Sequence, residues 1–299
     1  MNEKPKPARY ASWTQGKLPL PELLEMKRRG EKIVMVTAYD APSGRLADEA
    51  GIDLVLVGDS SGMVVHGRES TVPVTLDEIV LMTQWVVRGA KRPIVVADMP
   101  FGSYESSDED AVRSAVRLVK EGGADVVKLE GAGSTVSRAH AIARAGIGVM
   151  GHVGLTPQSA TVLGGFKAQG RSAERARELV ADATALESAG CFAVVLEAVP
   201  AAVGEAVTRG LSVPTIGIGA GPGCDGQVLV WHDMLGYYRG QTPRFVKRYA
   251  DLGAVISDAL ERFAEDVRSG GFPKEQHTYA MPEEELAAFE AAVAEVESH

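Results

Sequence analysis

The chain alternates short apolar runs with amphipathic segments, and this alternation repeats along most of its length. The apolar runs are rich in Val, Ile and Leu, which is typical of parallel strands that are buried on both faces. The runs predict strands at Ile33–Thr37, Leu54–Gly58, Ile94–Ala97, Val126–Leu129, Gly148–Gly151, Ala193–Leu196, Thr215–Gly219 and Val228–Trp231.

Helix start and stop signals occupy the segments between these runs. Thr75 and Glu78 form a Thr-x-x-Glu capping box before an amphipathic run that ends near Gly89. Another helix is predicted to start at Ser107 and to stop at Gly122. Further helix boundaries are predicted at Gly51, Gly146, Ser172 and Gly190.

Strands that alternate with helical crossovers favour an α/β fold, specifically a (β/α)8 barrel of the TIM type. An open, doubly wound sheet is the alternative. We expect a short N-terminal helix at Pro21–Arg29 to cap the bottom of the barrel. A helix over Leu252–Val267 begins a C-terminal helical extension. The segment from Val213 to Val230 contains few residues between the last two predicted strands. It therefore predicts a shortened or missing helix at that connection.

The predicted domain organisation is simple. Residues 1–299 form a single domain, in which residues 17–277 make the catalytic barrel and residues 278–299 make an acidic tail. From Pro282 onward the tail has six Glu and no Lys or Arg, so we expect a marginal helix that is mobile.

The amino-acid composition and net charge of the chain limit the kinds of molecule that it is expected to bind. The 299 residues are 45% hydrophobic, which indicates a globular protein with a large core. A formal net charge of −9 and only 6% aromatic residues disfavour nucleic acids and anionic membranes as partners. Two cysteines without metal spacing, and the lack of an apolar leader or membrane span, predict a cytoplasmic protein.

Charged residues follow the predicted strands at their carboxyl ends, where barrel enzymes bind substrates. Two loops on that face are long, Ser60–Val74 and His152–Arg171. Buried charges need a partner or a bound cation. The strand-end residues are Asp59, Asp98, Lys128, Glu130, His152 and Glu197.

Asp59, Asp98 and Glu130 follow or end three successive predicted strands. They offer only oxygen ligands, which suit a hard cation such as Mg²⁺. Lys128 and Glu130 are two residues apart and therefore share one face of their strand. Lys128 is then placed to hold an oxygen of the substrate, and Glu197 is free to act as a base.

Simpler interpretations apply to several of these residues. A single strand-end Asp is more often a helix cap, and His152 alone is more often a hydrogen-bonding residue than a ligand. His66 and Asp40 are expected to be structural. The glycine-rich segment Gly217–Gly221 follows a strand, but it lacks the rest of a dinucleotide-binding pattern.

The ordered motifs along the chain resemble those of the ketopantoate hydroxymethyltransferase family over about residues 17–277. The segment Gly151–Ser159, with sequence Gly-His-Val-Gly-Leu-Thr-Pro-Gln-Ser, is the most specific of them. The other matching segments are Thr37–Asp40, Val57–Ser60, Ala97–Phe101, Val127–Gly131, Gly164–Gly170, Val195–Glu197 and Ile216–Gly221. Ser61 and Ala198 depart from residues common in the family, but neither removes a reacting group.

The resemblance implies roles for the strand-end residues. It implies Asp59, Asp98 and Glu130 as the metal-site carboxylates, and Glu197 as the proton acceptor. The implied 2-oxo acid site consists of Ser60 together with Asp59, Asp98 and Lys128.

The resemblance also implies a reaction. A hydroxymethyl group passes from 5,10-methylenetetrahydrofolate to 3-methyl-2-oxobutanoate, giving 2-dehydropantoate on the way to pantothenate and coenzyme A. The implied cofactor is Mg²⁺ or another divalent ion that stabilises an enolate, and methylenetetrahydrofolate is the co-substrate. A homo-oligomer, a decamer by family analogy, is implied as well.

Two other functions stay open. One is a carbon–carbon lyase or mutase of the isocitrate lyase/phosphoenolpyruvate mutase type that acts on a 2-oxo acid, although the chain has no Lys-Lys-Cys-Gly-His motif. The other is a non-catalytic barrel that only binds a ligand. Proton exchange of a bound 2-oxo acid, and a requirement for folate, would discriminate the three.

Overall fold

The computed structural model of the chain describes residues 16–238, 240 and 242–297. Eight parallel strands close into a barrel in chain order, which confirms the predicted (β/α)8 fold over the open sheet. The strands are β1 Ile33–Thr37, β2 Leu54–Val57, β3 Ile94–Asp98, β4 Val126–Glu130, β5 Gly148–Gly154, β6 Ala193–Glu197, β7 Thr215–Ile218 and β8 Gly226–Leu229.

Helices connect most of the strands. Between β7 and β8, residues 219–225 contain no helix, as their short length predicted. The helices up to Ala250 are α1 Leu20–Arg29, α2 Ala41–Glu49, α3 Ser61–Val64, α4 Leu76–Gly89, α5 Asp108–Lys120, α6 Ser134–Arg144, α7 Ala160–Leu163, α8 Ala173–Ser188, α9 Ala201–Gly210 and α10 Trp231–Met234.

The chain divides into two compact units, one ending at Ala250 and the other beginning at Asp251. The second unit consists of α11 Leu252–Ser269, a 3-10 turn at Glu275–His277, and α12 Glu283–Glu297. The helix predicted from Leu252 is therefore present, and a helix also forms in the acidic tail. No helix in the described part of the chain has the length and apolar character needed to cross a membrane.

The last strand begins and ends two residues earlier than the pattern predicted. Gly226 already pairs with Ile33 of β1 and Ile216 of β7. A Cβ at Gly226 would lie 2.5 Å from the Ile33 carbonyl oxygen, so glycine permits this close approach. Trp231 instead starts α10, and its N–H donates to Thr37 Oγ1 at 2.9 Å.

Side chains of the barrel form two apolar layers. One layer fills the barrel interior and the other lies between the strands and the surrounding helices. The alternation along β4 shows the division, because Val127 and Leu129 belong to the outer layer while Val126 belongs to the inner one. Lys128 and Glu130 therefore share the inward face, as predicted.

Helix α1 closes the bottom of the barrel, as expected for the N-terminal helix. Its Leu23 and Met26 are buried with Ile33 and Leu54 in the inner apolar layer. Burial of such side chains contributes about 1.5–3 kcal/mol each, so α1 is an integral part of the barrel core.

Acidic residues at the bottom of the barrel stabilise the fold. Carboxylates of Asp53, Asp125 and Asp225 accept backbone N–H groups from neighbouring strands at 2.7–2.9 Å. Asp225 Oδ2 also lies 2.8 Å from Lys27 Nζ of α1. Acids at this end of the barrel therefore connect neighbouring strands and helix α1.

We expect Asp225→Ala to lower the free energy of unfolding by about 1–3 kcal/mol, because it leaves buried donors without an acceptor. Chemical denaturation measures this loss, and any turnover by the folded protein should be unchanged. Asp225→Asn is the matched control, since its amide oxygen still accepts from the Thr215 N–H. A loss of turnover without loss of stability would contradict this structural role.

Candidate active site

Strand register brings the predicted site residues together at the top of the barrel. Asp98 at the end of β3 lies beside Lys128 of β4. Glu130 of β4 lies beside His152 of β5. Glu197 ends β6 and pairs with Gly154 of β5. The carboxyl ends of β3, β4, β5 and β6 therefore bring these charged residues to one end of the barrel.

A cavity of about 810 Å³ opens at this end of the barrel. Its base is apolar and includes Leu56 and Val195. The polar side chains that line its inner part are Asp59, Ser60, Asp98, Lys128, His152 and Glu197. All the predicted site residues except Glu130 therefore face this cavity.

Lys128 is the central cation of the site. It is 3% exposed, and its Nζ lies 2.7 Å from Asp98 Oδ1 and 3.7 Å from Glu130 Oε1. Burial opposes the charge on this ammonium, but Asp98, Glu130 and Asp59 outweigh it and raise the pKa of Lys128. Lys128 is therefore a permanent positive charge facing the cavity.

His152 connects two carboxylates. Its Nδ1 lies 3.4 Å from Glu130 Oε1, and its Nε2 lies 3.3 Å from Glu197 Oε2. Burial and the nearby Lys128 disfavour the charged ring, but the two carboxylates prevail and raise the pKa of His152 to about 9. The imidazole is then protonated at neutral pH, and its positive charge holds the Glu197 carboxylate at the cavity wall.

Glu130 lies behind the cavity and anchors the cations that line it. Besides Lys128 and His152, it accepts the backbone N–H of Gln158 at 3.0 Å through Oε2. Burial disfavours its charge, yet the His152 and Lys128 cations and this N–H together lower the pKa of Glu130. It is therefore an ionised buried anchor.

Asp59 is a buried acid that forms no ion pair with the residues that the structure describes. Its Oδ2 accepts from Gln158 Nε2 at 2.9 Å, and its backbone N–H donates to Asp98 Oδ2 at 3.0 Å. Burial, followed by the negative charges of Asp98 and Glu130, raises the pKa of Asp59 well above its usual range. Asp59 therefore favours the approach of a positive group.

These buried carboxylates provide a chemical test for a divalent cation. Asp98 Oδ1 is buried and accepts no hydrogen bond, although Lys128 lies close to it. Buried carboxylate oxygens are ligands that suit Mg²⁺. Among the described residues, no three His, Cys, Asp or Glu side chains stand close enough to form a metal site by themselves. The donor set fits the ion, with substrate or water oxygens needed to complete its coordination.

Ser60 is positioned by Tyr39, which lies two residues after the end of β1. Its Oγ lies 2.9 Å from Tyr39 Oη, and Ser60 sits at the start of α3. The long loop after β2 is fixed to α4, because Arg68 forms a double ion pair with Glu78 at 2.6 and 3.1 Å. The Arg68–Glu78 ion pair therefore stabilises the loop that places Ser60 and Asp59 at the wall of the cavity.

The last residue of β5 lies close to the strand that carries Glu197. A Cβ at Gly154 would lie 2.3 Å from the Glu197 carbonyl oxygen, so only glycine allows this approach. Ala198 has φ +50°, a conformation that side chains rarely adopt. The Ala198 carbonyl accepts from the Gln169 N–H at 2.9 Å. The backbone on both sides of Glu197 is therefore fixed.

Two residues were missed by sequence reasoning. Gln158 bridges Asp59, Glu130 and the Met99 carbonyl, and Tyr104 Oη donates to Gln158 Oε1 at 2.6 Å. Gln158 lies in the specific segment Gly151–Ser159, which signals importance but not this contact. No local signal marks Tyr104, because its partner is 54 residues away.

The residues expected to be structural have structural contacts. Asp40 caps α2 by accepting from the Ser43 N–H, and His66 Nδ1 lies 3.7 Å from Glu78 Oε1. In the segment Gly217–Gly221, a Cβ at Gly219 would meet the Phe245 ring at 2.5 Å. The lack of a side chain at Gly219 therefore leaves room for the Phe245 ring to pack against the backbone.

Solved structures with the same fold have low sequence identity. A phosphonopyruvate hydrolase in complex with oxalate and Mg²⁺ superposes with a TM-score of 0.57 at 14% identity, covering 94% of this chain and 98% of that one. A 2,3-dimethylmalate lyase of the PEP mutase/isocitrate lyase superfamily gives 0.55 at 18% identity, covering 92% and 98%. At this identity the likeness shows the barrel fold alone.

Sequence relatives are much more similar. A 3-methyl-2-oxobutanoate hydroxymethyltransferase from Moorella thermoacetica is 57% identical over 265 residues, covering 89% of this chain and 98% of that protein. The enzyme of the same name from Thermobifida fusca is 54% identical and covers 92% and 98%. The family model for ketopantoate hydroxymethyltransferase matches residues 17–275. The chain belongs to the ketopantoate hydroxymethyltransferase family.

Proposed function

We propose that this protein transfers a hydroxymethyl group from 5,10-methylenetetrahydrofolate to 3-methyl-2-oxobutanoate, giving 2-dehydropantoate for pantothenate and coenzyme A synthesis. The single observation that carries this proposal is the placement of Glu197 and Lys128 in one cavity with buried carboxylates. The names of the relatives and the family membership identify the substrate.

Lys128 and Ser60 bind the 2-oxo acid in this proposal. Lys128 offers a buried positive charge that attracts the keto oxygen or carboxylate, and it stabilises negative charge that develops on that oxygen. The apolar base of the cavity, with Leu56 and Val195, accommodates the branched alkyl end of the acid.

Glu197 removes the proton from C3, the carbon next to the carbonyl. The electron pair of the broken C–H bond moves toward the keto oxygen, which lies near Lys128. The C3 carbon then forms a carbon–carbon bond with the methylene carbon of the folate, and water supplies the hydroxyl oxygen of the product. Both bonds from that carbon to N5 and N10 of the folate break. The two nitrogens take up the proton removed from C3 and one proton of the water, so tetrahydrofolate is the leaving product. His152 holds Glu197 in place through the 3.3 Å ion pair.

Asp59, Asp98 and Glu130 make the metal-site carboxylates of the proposal. Asp59 and Asp98 face the cavity, while Glu130 lies behind it and contacts Lys128 and His152. When bound, Mg²⁺ or another divalent ion polarises the carbonyl of the acid as a Lewis acid.

We further propose that the protein acts in the cytoplasm as a homo-oligomer, a decamer by family analogy. Cys191 and Cys224 are both buried and free, which is compatible with a reducing compartment. Light scattering of the purified protein measures the oligomeric state.

Proton NMR of 3-methyl-2-oxobutanoate in D₂O tests the function. We expect loss of the C3 proton signal with Mg²⁺, little loss with EDTA, and a hydroxymethyl product after methylenetetrahydrofolate is added. Exchange without product would contradict the folate donor and favour a lyase or mutase. Neither exchange nor product, from folded and metal-loaded protein, would contradict the activity and favour a barrel that only binds a ligand.

A further inference from the structure

We propose that Lys167 and Arg244, at the mouth of the cavity, bind the glutamate carboxylates of the folate co-substrate. This inference rests on the proposed function, because it assigns contacts to the folate of that reaction. It divides the cavity into an inner part for the 2-oxo acid and an outer part for the folate.

The cavity is much larger than a small branched acid requires. Its volume of about 810 Å³ falls in the range of roughly 300–1,000 Å³ that is typical of sites for larger organic ligands. The acid occupies the strand ends near Lys128. The outer part is lined by Phe166, Ala168 and Pro243, which are exposed, while Phe245 also lines the cavity and packs against the inner apolar layer. This apolar surface suits a flat aromatic ligand.

Two cations stand where this apolar surface meets solvent. Lys167 and Arg244 both line the cavity and are both exposed, so they lie at its mouth. Within residues 16–238, 240 and 242–297, no carboxylate pairs with either side chain. Glu69 is also exposed and lines the cavity, which leaves an excess of positive charge among these mouth residues. Two unpaired cations beside an apolar wall match a ligand with an aromatic body and an anionic end.

The backbone of each cation is held in place. Lys167 N–H donates to the Gly165 carbonyl at 2.9 Å, and the Lys167 carbonyl accepts from Gln169 Nε2 at 2.9 Å. Arg244 lies in a turn closed by the Val246 N–H and the Pro243 carbonyl at 3.0 Å. Both cations are therefore presented from ordered turns, which lowers the entropy lost on binding.

Charge explains why the cations belong at the mouth. The chain carries a net charge of −9, and several carboxylates line or support the inner cavity. A dianionic folate tail would be repelled by the inner acids, whereas the mouth cations hold it near solvent. Exposed ion pairs are individually weak and screened by salt. The glutamate tail therefore contributes a preference for ligands that carry it, while most of the binding affinity comes from the rest of the folate.

The test compares binding of tetrahydrofolate with binding of tetrahydropteroate, which lacks the glutamate, by calorimetry on the full chain. Wild type is expected to prefer tetrahydrofolate by about three- to tenfold at low salt. The variant Lys167→Ala/Arg244→Ala should lose this preference while its affinity for tetrahydropteroate and its proton exchange on the 2-oxo acid stay unchanged. Lys167→Arg with Arg244→Lys should restore the preference. Arg171→Ala is the matched control, because Arg171 is exposed nearby but is not among the residues lining the cavity.

Equal binding of the two ligands by wild type would overturn the inference, and so would a preference that survives in the double alanine variant. If wild type forms the hydroxymethyl product in either case, the proposed function stands and only the assignment of Lys167 and Arg244 fails. If wild type forms no product and binds neither ligand, the proposed function fails together with the inference.

Discussion

Glu197→Gln is expected to lower turnover by about 10²–10⁴-fold, the usual contribution of a general base. Gln keeps the size and polarity of the side chain but cannot accept the C3 proton. Glu197 lies at the cavity wall, 3.3 Å from His152, so the amide fits the same position. Steady-state kinetics and the deuterium exchange of 3-methyl-2-oxobutanoate should fall in parallel.

Binding of the 2-oxo acid separates this effect from damage to the site. Its dissociation constant in Glu197→Gln should stay within a few-fold of wild type, since Lys128 and Ser60 are intact. Glu205→Gln is the matched control on the exposed surface of α9 and should leave turnover unchanged. Wild-type turnover in Glu197→Gln would remove this residue from the role of base.

Asp98→Asn should weaken Mg²⁺ binding by about tenfold or more, which corresponds to about 1.4 kcal/mol per factor of ten. The amide keeps an acceptor for the Asp59 N–H but removes the negative charge beside Lys128. The loss of one carboxylate both weakens a hard-cation site and leaves Lys128 with less compensation. Calorimetric titration with Mg²⁺ measures the affinity, and activity should require more metal.

Asp53→Asn is the matched control for this change. Asp53 is also a buried acid of the barrel, but it lies at the opposite end of β2, where it accepts the Val34 N–H. Its replacement should lower stability without changing the Mg²⁺ affinity. Unchanged Mg²⁺ affinity and activity in Asp98→Asn would exclude Asp98 from the metal site.

Local sequence determined the elements that position the site. The Val-rich runs and capping boxes predicted the strands and helices, because backbone propensity and the period of burial are local properties. Strand ends were less certain: β5 continues to Gly154, since its pairing with β6 extends to Glu197. The strand-end charges were visible because a carboxylate directly after a buried run is costly without a partner.

Tertiary structure decided which charges meet and which face the ligand. Glu130 is the last residue of its strand, as Asp98 and Glu197 are of theirs. Those two side chains line the cavity, whereas Glu130 lies behind Lys128 and His152. Gln158 and Tyr104 meet only after the loops close over the barrel.

The sequence by itself determined the barrel, the residues at its strand ends and the family, because these depend on local pattern and on ordered motifs. Only the tertiary structure decided the partners of each buried charge, the raised pKa of His152 and the division between Asp98 at the cavity and Glu130 behind it. These properties depend on burial and on distances between residues far apart in the chain, which no local pattern encodes.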